Sequence, residues 1–190
     1  EVTNLNAPSP IPFGTSLKDV TFTVKRGEVL GIAGVAGNGQ DELLLALSGE
    51  IKSGEGQVKA TGVSVGRMGP SDRRRIGFVM APEDRLGHAA APDMSLVENA
   101  FLTGGIRKGL VRNGFIDWAA TREFADKVIE TYDVRTPGSH VAARALSGGN
   151  LQKFVVGREL MQPPDVIVIN HPAWGVDAAA AAAIRQAILD

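Results

Sequence analysis

Three short stretches carry residue types that could handle a phosphate-bearing ligand. The first is Gly34-Val35-Ala36-Gly37-Asn38-Gly39-Gln40-Asp41. A glycine-rich loop between a strand and a helix lets backbone N–H groups converge on an anion, and Lys then Ser or Thr after the last glycine completes the chemistry. Here Gln40 stands in the lysine place and Asp41 in the hydroxyl place, so the stretch fits a plain structural turn as well. The second is Ala145-Leu146-Ser147-Gly148-Gly149-Asn150. A serine and two glycines ahead of a helix suit an ordinary N-cap and also an anion-binding turn. The third begins with the apolar run Val166-Ile167-Val168-Ile169 and continues as Asn170-His171-Pro172-Ala173-Trp174-Gly175-Val176-Asp177. Polar residues at the end of a buried strand are common to many α/β folds.

Elements must exist to hold these stretches in place. Val20, Phe22 and Val24 are apolar at every second position, which predicts a half-buried strand closed by Lys25-Arg26-Gly27-Glu28. Val29-Leu30-Gly31-Ile32-Ala33 is a continuous apolar run, the pattern of a strand covered on both faces, and it leads into the first glycine loop. Asp41 to Leu47 then reads as a buried helix, and residues 57–65 and 76–80 as further strands. Ser95-Leu96-Val97-Glu98 has capping-box spacing at the start of a short helix. A second helix is predicted from Asp117, with Trp118, Phe124, Val128, Ile129 and Tyr132 over one apolar face, which is packing rather than a cofactor box. A third, 149–161, is stopped by Pro163-Pro164. Residues of about 90 to 144 thus look like a helical insert in an otherwise α/β chain. The alanine-rich run from Ala178 to Asp190 reads as a helix with no stop signal after it, and the chain is expected to be a C-terminally truncated fragment.

Bulk properties narrow the partners. A chain of 190 residues, 44% hydrophobic and 22% charged, has the make-up of one globular domain. A net charge of −1 gives no electrostatic reason to expect nucleic acid or anionic lipid. With no cysteine, disulfides and thiolate metal sites are excluded. No run of 18 apolar residues occurs, so nothing in the sequence reads as a membrane-spanning helix.

Taken together in order and spacing, the glycine loop, Leu146-Ser147-Gly148-Gly149, and an apolar strand followed by Pro172…Gly175-Val176-Asp177 resemble the ABC ATPase family. The stretch from Gly39 to Leu146 is long enough for a helical subdomain between loop and signature. Gly37-Asn38-Gly39-Gln40, Ala81-Pro82-Glu83-Asp84-Arg85 and Asn150 are similar to the second cassette of simple-sugar and nucleoside importers, whose two cassettes are commonly fused in one polypeptide. The resemblance implies an α/β fold: a P-loop NTPase (RecA-like) core with a mixed sheet, residues 1–90 and 145–190, and an inserted α-helical subdomain, residues 91–144. It implies ATP and Mg²⁺ as cofactors, and a second ABC cassette paired head to tail. Transmembrane permease subunits, and through them a substrate-binding protein, would be the further partners. The location implied is peripheral, at the cytoplasmic face of the cell membrane.

The same resemblance gives each residue an expected place. Gly34, Gly37, Asn38, Gly39, Gln40 and Asp41 form the cradle. Ser147, Gly148, Gly149 and Asn150 form the signature that meets the partner's ATP. Glu83 stands at the Q-loop glutamine, Asn170 at the Walker B aspartate, and His171 at the glutamate that positions water. Asp41 and Asn170 are the candidate Mg²⁺ ligands. Gln40 carries no positive charge, and a carboxylate at residue 41 about 4 Å from phosphate oxygens is repelled by about 4 kcal/mol at an effective dielectric of ~20. Asp41 could instead coordinate Mg²⁺ or satisfy the helix N–H groups that phosphate would use. His171 is either a general base or a residue freed from catalytic duty. Phe13 either stacks on adenine or packs on Pro12. Asp177 matches the D-loop aspartate and is also placed to cap the following helix. Trp174 is an interface anchor or is simply buried. The domain is therefore expected to bind ATP weakly, to hydrolyse it slowly or not at all, and to lend its signature to the partner.

Overall fold

The computed structural model describes residues 1–10 and 12–189. Asp190, the last residue of the predicted final helix, lies outside them. The chain forms two compact units, Glu1–Val79 and Met80–Asp190.

In the first unit β1, Val2–Ala7, pairs antiparallel with β2, Leu17–Phe22. β1 was not predicted, because its buried residues Val2, Leu5 and Ala7 do not keep a period of two. The register shifts between them, and Asn4 sits at a φ of 47°. An irregular pairing of this kind breaks the alternation on which strand recognition depends. In place of one long strand over 57–65, β3 (Lys59–Ala60) and β4 (Val63–Ser64) form a tight hairpin. Thr61 and Gly62 at its tip both have positive φ, as a type I′ turn requires.

The predicted first helix is present as α1, Gln40–Ser48, which buries Leu43, Ala46 and Leu47. Its buried Glu42 accepts hydrogen bonds from Ser9 Oγ (2.8 Å) and the Thr15 N–H (3.2 Å), so the segment ahead of β2 is fastened to it. α2, Pro70–Arg75, starts with proline in its first turn, where a missing N–H costs nothing. Arg73 runs from α2 to the C-terminus of α1 and donates to the carbonyls of Ala46 (2.7 Å) and Leu47 (2.6 Å), satisfying acceptors that a helix end leaves open. Burial lowers its pKa to about 10, so it remains a cation at neutral pH.

One expectation is overturned. Residues 29–33 form no strand, and Val29, Leu30 and Ile32 are exposed. A strand covered on both faces needs pairing partners along its edges, and among the described residues none pairs with this run.

In the second unit β5 (Phe78–Ala81, begun at the boundary) pairs with β8 (Val166–Ile169), and the Asn170 N–H extends the contact to the Ala81 carbonyl (2.9 Å). β8 is half-buried along its whole length rather than fully covered. α3, Leu96–Gly104, has the full capping box: the Glu98 N–H donates to Ser95 Oγ (3.2 Å) and the Ser95 N–H to Glu98 Oε2 (2.8 Å). A hairpin of β6 (Val111–Arg112) and β7 (Phe115–Ile116) turns at Asn113-Gly114. α4, Trp118–Thr131, starts at Asp117, whose side chain accepts from the Ala120 N–H (3.0 Å). Phe124 and Val128 of the predicted stripe are buried, while Trp118 at its start stays half exposed.

A short 3₁₀ turn, Ala143–Ala145, precedes α5, Gly148–Leu160, and α6 is Ala178–Leu189. Leu96, Ala100, Phe124, Val128, Leu151 and Phe154 share one apolar core that joins α3, α4 and α5. Inside it Arg158 pairs with Glu159 (3.1 Å) and donates to the carbonyls of Asn99 (3.0 Å) and Ala89 (2.8 Å). A buried charge is tolerable only when paired and hydrogen-bonded in this way.

Candidate functional site

The first glycine loop lies in the first unit, and its own side chain fills it. Gln40 Nε2 donates to the Val35 carbonyl (3.0 Å), and the Asn38 N–H donates to Gln40 Oε1 (3.1 Å). A Cβ at Gly34 would lie 2.4 Å from Gln40 Nε2, so the amide rests directly on the loop backbone. Thr15 Oγ donates to the Gly37 carbonyl (2.6 Å) from the other side. Gly37 and Gly39 have φ of 86° and 100°, which glycine adopts without strain. A phosphate oxygen would have to compete with Gln40 for the Asn38 N–H, and Asp41, exposed at the start of α1, adds negative charge at the same mouth. These residues do not fit a tightly held triphosphate. Phe13, in the same unit, is fully exposed with a φ of 64° and does not pack on Pro12.

The signature turn lies in the second unit and is arranged differently. Ser147 is at the N-cap of α5, yet its Oγ accepts from Asn150 Nδ2 (2.9 Å) instead of from a backbone N–H. Asn150 Oδ1 in turn accepts from the Arg135 N–H (2.9 Å), just beyond α4. Lys153, one turn on, donates to the Asp133 carbonyl (2.9 Å). The serine hydroxyl hydrogen and the first N–H groups of α5 therefore present donors together, the chemistry that suits an anionic oxygen. Ser147, Gly149, Asn150, Lys153 and Asp177 line one groove of about 890 Å³, closed on one side by Ala179 and Ala183 of α6. Asp177 caps α6 by accepting from the Ala180 N–H (2.9 Å), and that bond foremost holds its carboxyl below the usual range. A shallower depression of about 770 Å³ on the outer face of α4, between Trp118 and Glu130, holds none of the motif residues.

The end of β8 gathers the remaining candidates. His171 has a φ of 46°, a strained backbone for a side chain of its size. Its Nε2 lies 3.8 Å from Glu83 Oε2, both groups well exposed, so the pair is an ion pair only when His171 is protonated and then a weak one. The Trp174 ring meets the His171 ring edge-on, centroids 5.9 Å apart. Trp174 is 64% exposed, which removes the reading of a buried residue. Among the described residues no group of three or more His, Cys, Asp or Glu could hold a metal ion.

Arg85, in the Glu83 segment, bonds to both α5 and the turn after β8. Its Nε donates to Gln152 Oε1 (3.0 Å) and its Nη2 to the Trp174 carbonyl, while Gln152 Nε2 donates to the Pro172 carbonyl (3.1 Å). Contacts of this kind join residues far apart in the chain, and no local spacing announces them.

The sequence pattern of the ABC transporter family matches residues 17–173. The chain is 39% identical over 180 residues to the glucose import ATP-binding protein TsgD13 of Haloferax volcanii, covering 92% of this chain and 32% of that protein. It is 34% identical over 175 residues to the guanosine import ATP-binding protein NupO of Bacillus subtilis, covering 92% and 34%. The chain thus spans about a third of the length of these curated relatives. Among solved structures, the dimeric post-hydrolysis state of the ATP-binding cassette MJ0796 bound to ADP and Pi is similar with a TM-score of 0.80. The identity there is 20%, over 98% of this chain and 80% of that one, which establishes the mixed α/β P-loop NTPase fold. No helix among the described residues is long and apolar enough to cross a membrane.

Proposed function

This chain belongs to the ABC transporter family, and we propose that it is the helper cassette of an importer for simple sugars or nucleosides. In this reading it binds Mg-ATP weakly at its own loop, hydrolyses it slowly or not at all, and lends Ser147–Asn150 to the ATP held by a second cassette. The supporting observation is the Gln40 carboxamide, hydrogen-bonded inside the loop where a lysine would leave room for phosphate. The free donors of the signature turn point the same way, since that half of the chemistry is kept.

The relatives named for glucose and guanosine import support the substrate class. The second cassette pairs head to tail and belongs to the same polypeptide. Residues 1–90 and 145–190 act as the ATP-binding core and residues 91–144 as the helical subdomain, which together with the loop after Glu83 contacts the permease. The assembly sits at the cytoplasmic face of the membrane and receives its cargo from a substrate-binding protein. Asp41 at the start of α1 and, separately, Asn170 at the end of β8 are oxygen donors suited to Mg²⁺.

Two measurements test this. Calorimetric titration of the chain with Mg-ATP is expected to give weak binding and no turnover; sub-micromolar affinity with steady hydrolysis overturns the proposal. In the transporter assembled from the full-length protein, Ser147→Ala is expected to cut ATP turnover by at least tenfold. A module that merely completes the dimer would leave turnover unchanged.

A further inference from the structure

We propose that Arg85 is a positioning residue that sets the signature turn in register with the loop leading to Asp177. The proposal rests on the reading that Ser147–Asn150 serve a partner's nucleotide. One side chain ties its own segment to two others. It follows Glu83 by two residues, donates through Nε to Gln152 in the second turn of α5, and donates through Nη2 to the Trp174 carbonyl. Gln152, itself buried, closes the circuit by donating to the Pro172 carbonyl.

The two glycines flanking the guanidinium are needed for this approach. A Cβ at Gly148 would lie 2.6 Å from Nη1, and one at Gly175 would lie 3.0 Å from Nη2. Helix electrostatics alone would not choose this place, because the N-terminus of a helix disfavours a cation. What holds Arg85 is geometry: a planar fork that satisfies two acceptors at fixed angles, which a lysine ammonium does not reproduce. A shift of the Glu83 segment would therefore move the signature turn and the loop before Asp177 together.

The test uses the full-length protein assembled with its partner subunits, with Ser147→Ala as the reference. Arg85→Ala is expected to lower kcat for ATP at least tenfold while KM for ATP changes less than threefold, because the signature is engaged only in the productive closed state. Arg85→Lys should not restore the rate, added methylguanidinium should restore part of it to Arg85→Ala, and Arg85→Ala/Gln152→Ala should be no slower than Arg85→Ala. Turnover within twofold of the parent in Arg85→Ala or Arg85→Lys, with Ser147→Ala inactive, overturns the proposal alone. Full turnover in Ser147→Ala removes the reading beneath it and the proposal as well. If Arg85→Ala does not assemble, Gln152→Ala reads the same linkage: a loss of threefold or more supports it, and an unchanged rate overturns it.

Discussion

At the scale of single residues, Gln40 and Asp41 both act against a bound phosphate, by different means. The amide of Gln40 competes for a loop N–H that the phosphate would use, and the carboxylate of Asp41 repels it. Gln40→Lys is expected to tighten Mg-ATP binding on the order of tenfold, about 1.4 kcal/mol, by removing the competitor and adding a cation. Adding Asp41→Ser should tighten it on the order of tenfold again by removing the like charge. Titration calorimetry on the isolated chain reads both, and an affinity unchanged in the double variant would show that the loop is not a nucleotide site at all. The sequence was enough to place Gln40 and Asp41 where they stand, because their identity is local. It was not enough to show that Gln40 turns back onto Val35 and Asn38, which depends on side-chain direction.

At the scale of elements, the ends of helices were the most legible feature. The capping box at Ser95 and Glu98 and the Asp117 cap both come from residues three positions apart along the chain. Bonds from Ser95 lower the pKa of Glu98 from its ordinary 4.5. The sign follows from linkage: a carboxyl with a depressed folded pKa contributes stability above its unfolded value and loses it as pH falls through the folded value. Ser95→Ala should therefore cost on the order of 1 kcal/mol near neutrality. The gap from the parent should narrow once the pH drops below the ordinary carboxyl range. Urea unfolding of both proteins across acid pH measures this, and a gap that widens in acid would contradict it. Less legible were β1, whose irregular register hides its period, and β6–β7, although Asn113-Gly114 is a recognised hairpin signal. The run at 29–33 misled in the other direction. Its composition is that of a covered strand, but pairing is decided by neighbours that composition does not specify.

At the scale of the whole molecule, the proposed helper role makes the assembled transporter asymmetric, because Gln40 competes for the loop N–H of this chain while Ser147–Asn150 are offered to the partner's nucleotide. A transporter built from this half and a competent twin should have one working site. Its ATP turnover should then rise hyperbolically with ATP concentration, with a Hill coefficient of about 1. A coefficient approaching about 2 in steady-state assays would reveal two cooperating sites and end the asymmetric view. The fold itself was readable because its three motif stretches recur in a fixed order along the chain. The network around Arg85 was not, because it exists only once β5, α5 and the turn after β8 have been brought together.

The lodged carboxamide has one more implication. A loop that supplies its own guest has no need of a visitor to keep its shape. Protein with and without Mg-ATP should then exchange the Asn38 amide hydrogen at similar rates, because Gln40 already occupies that N–H.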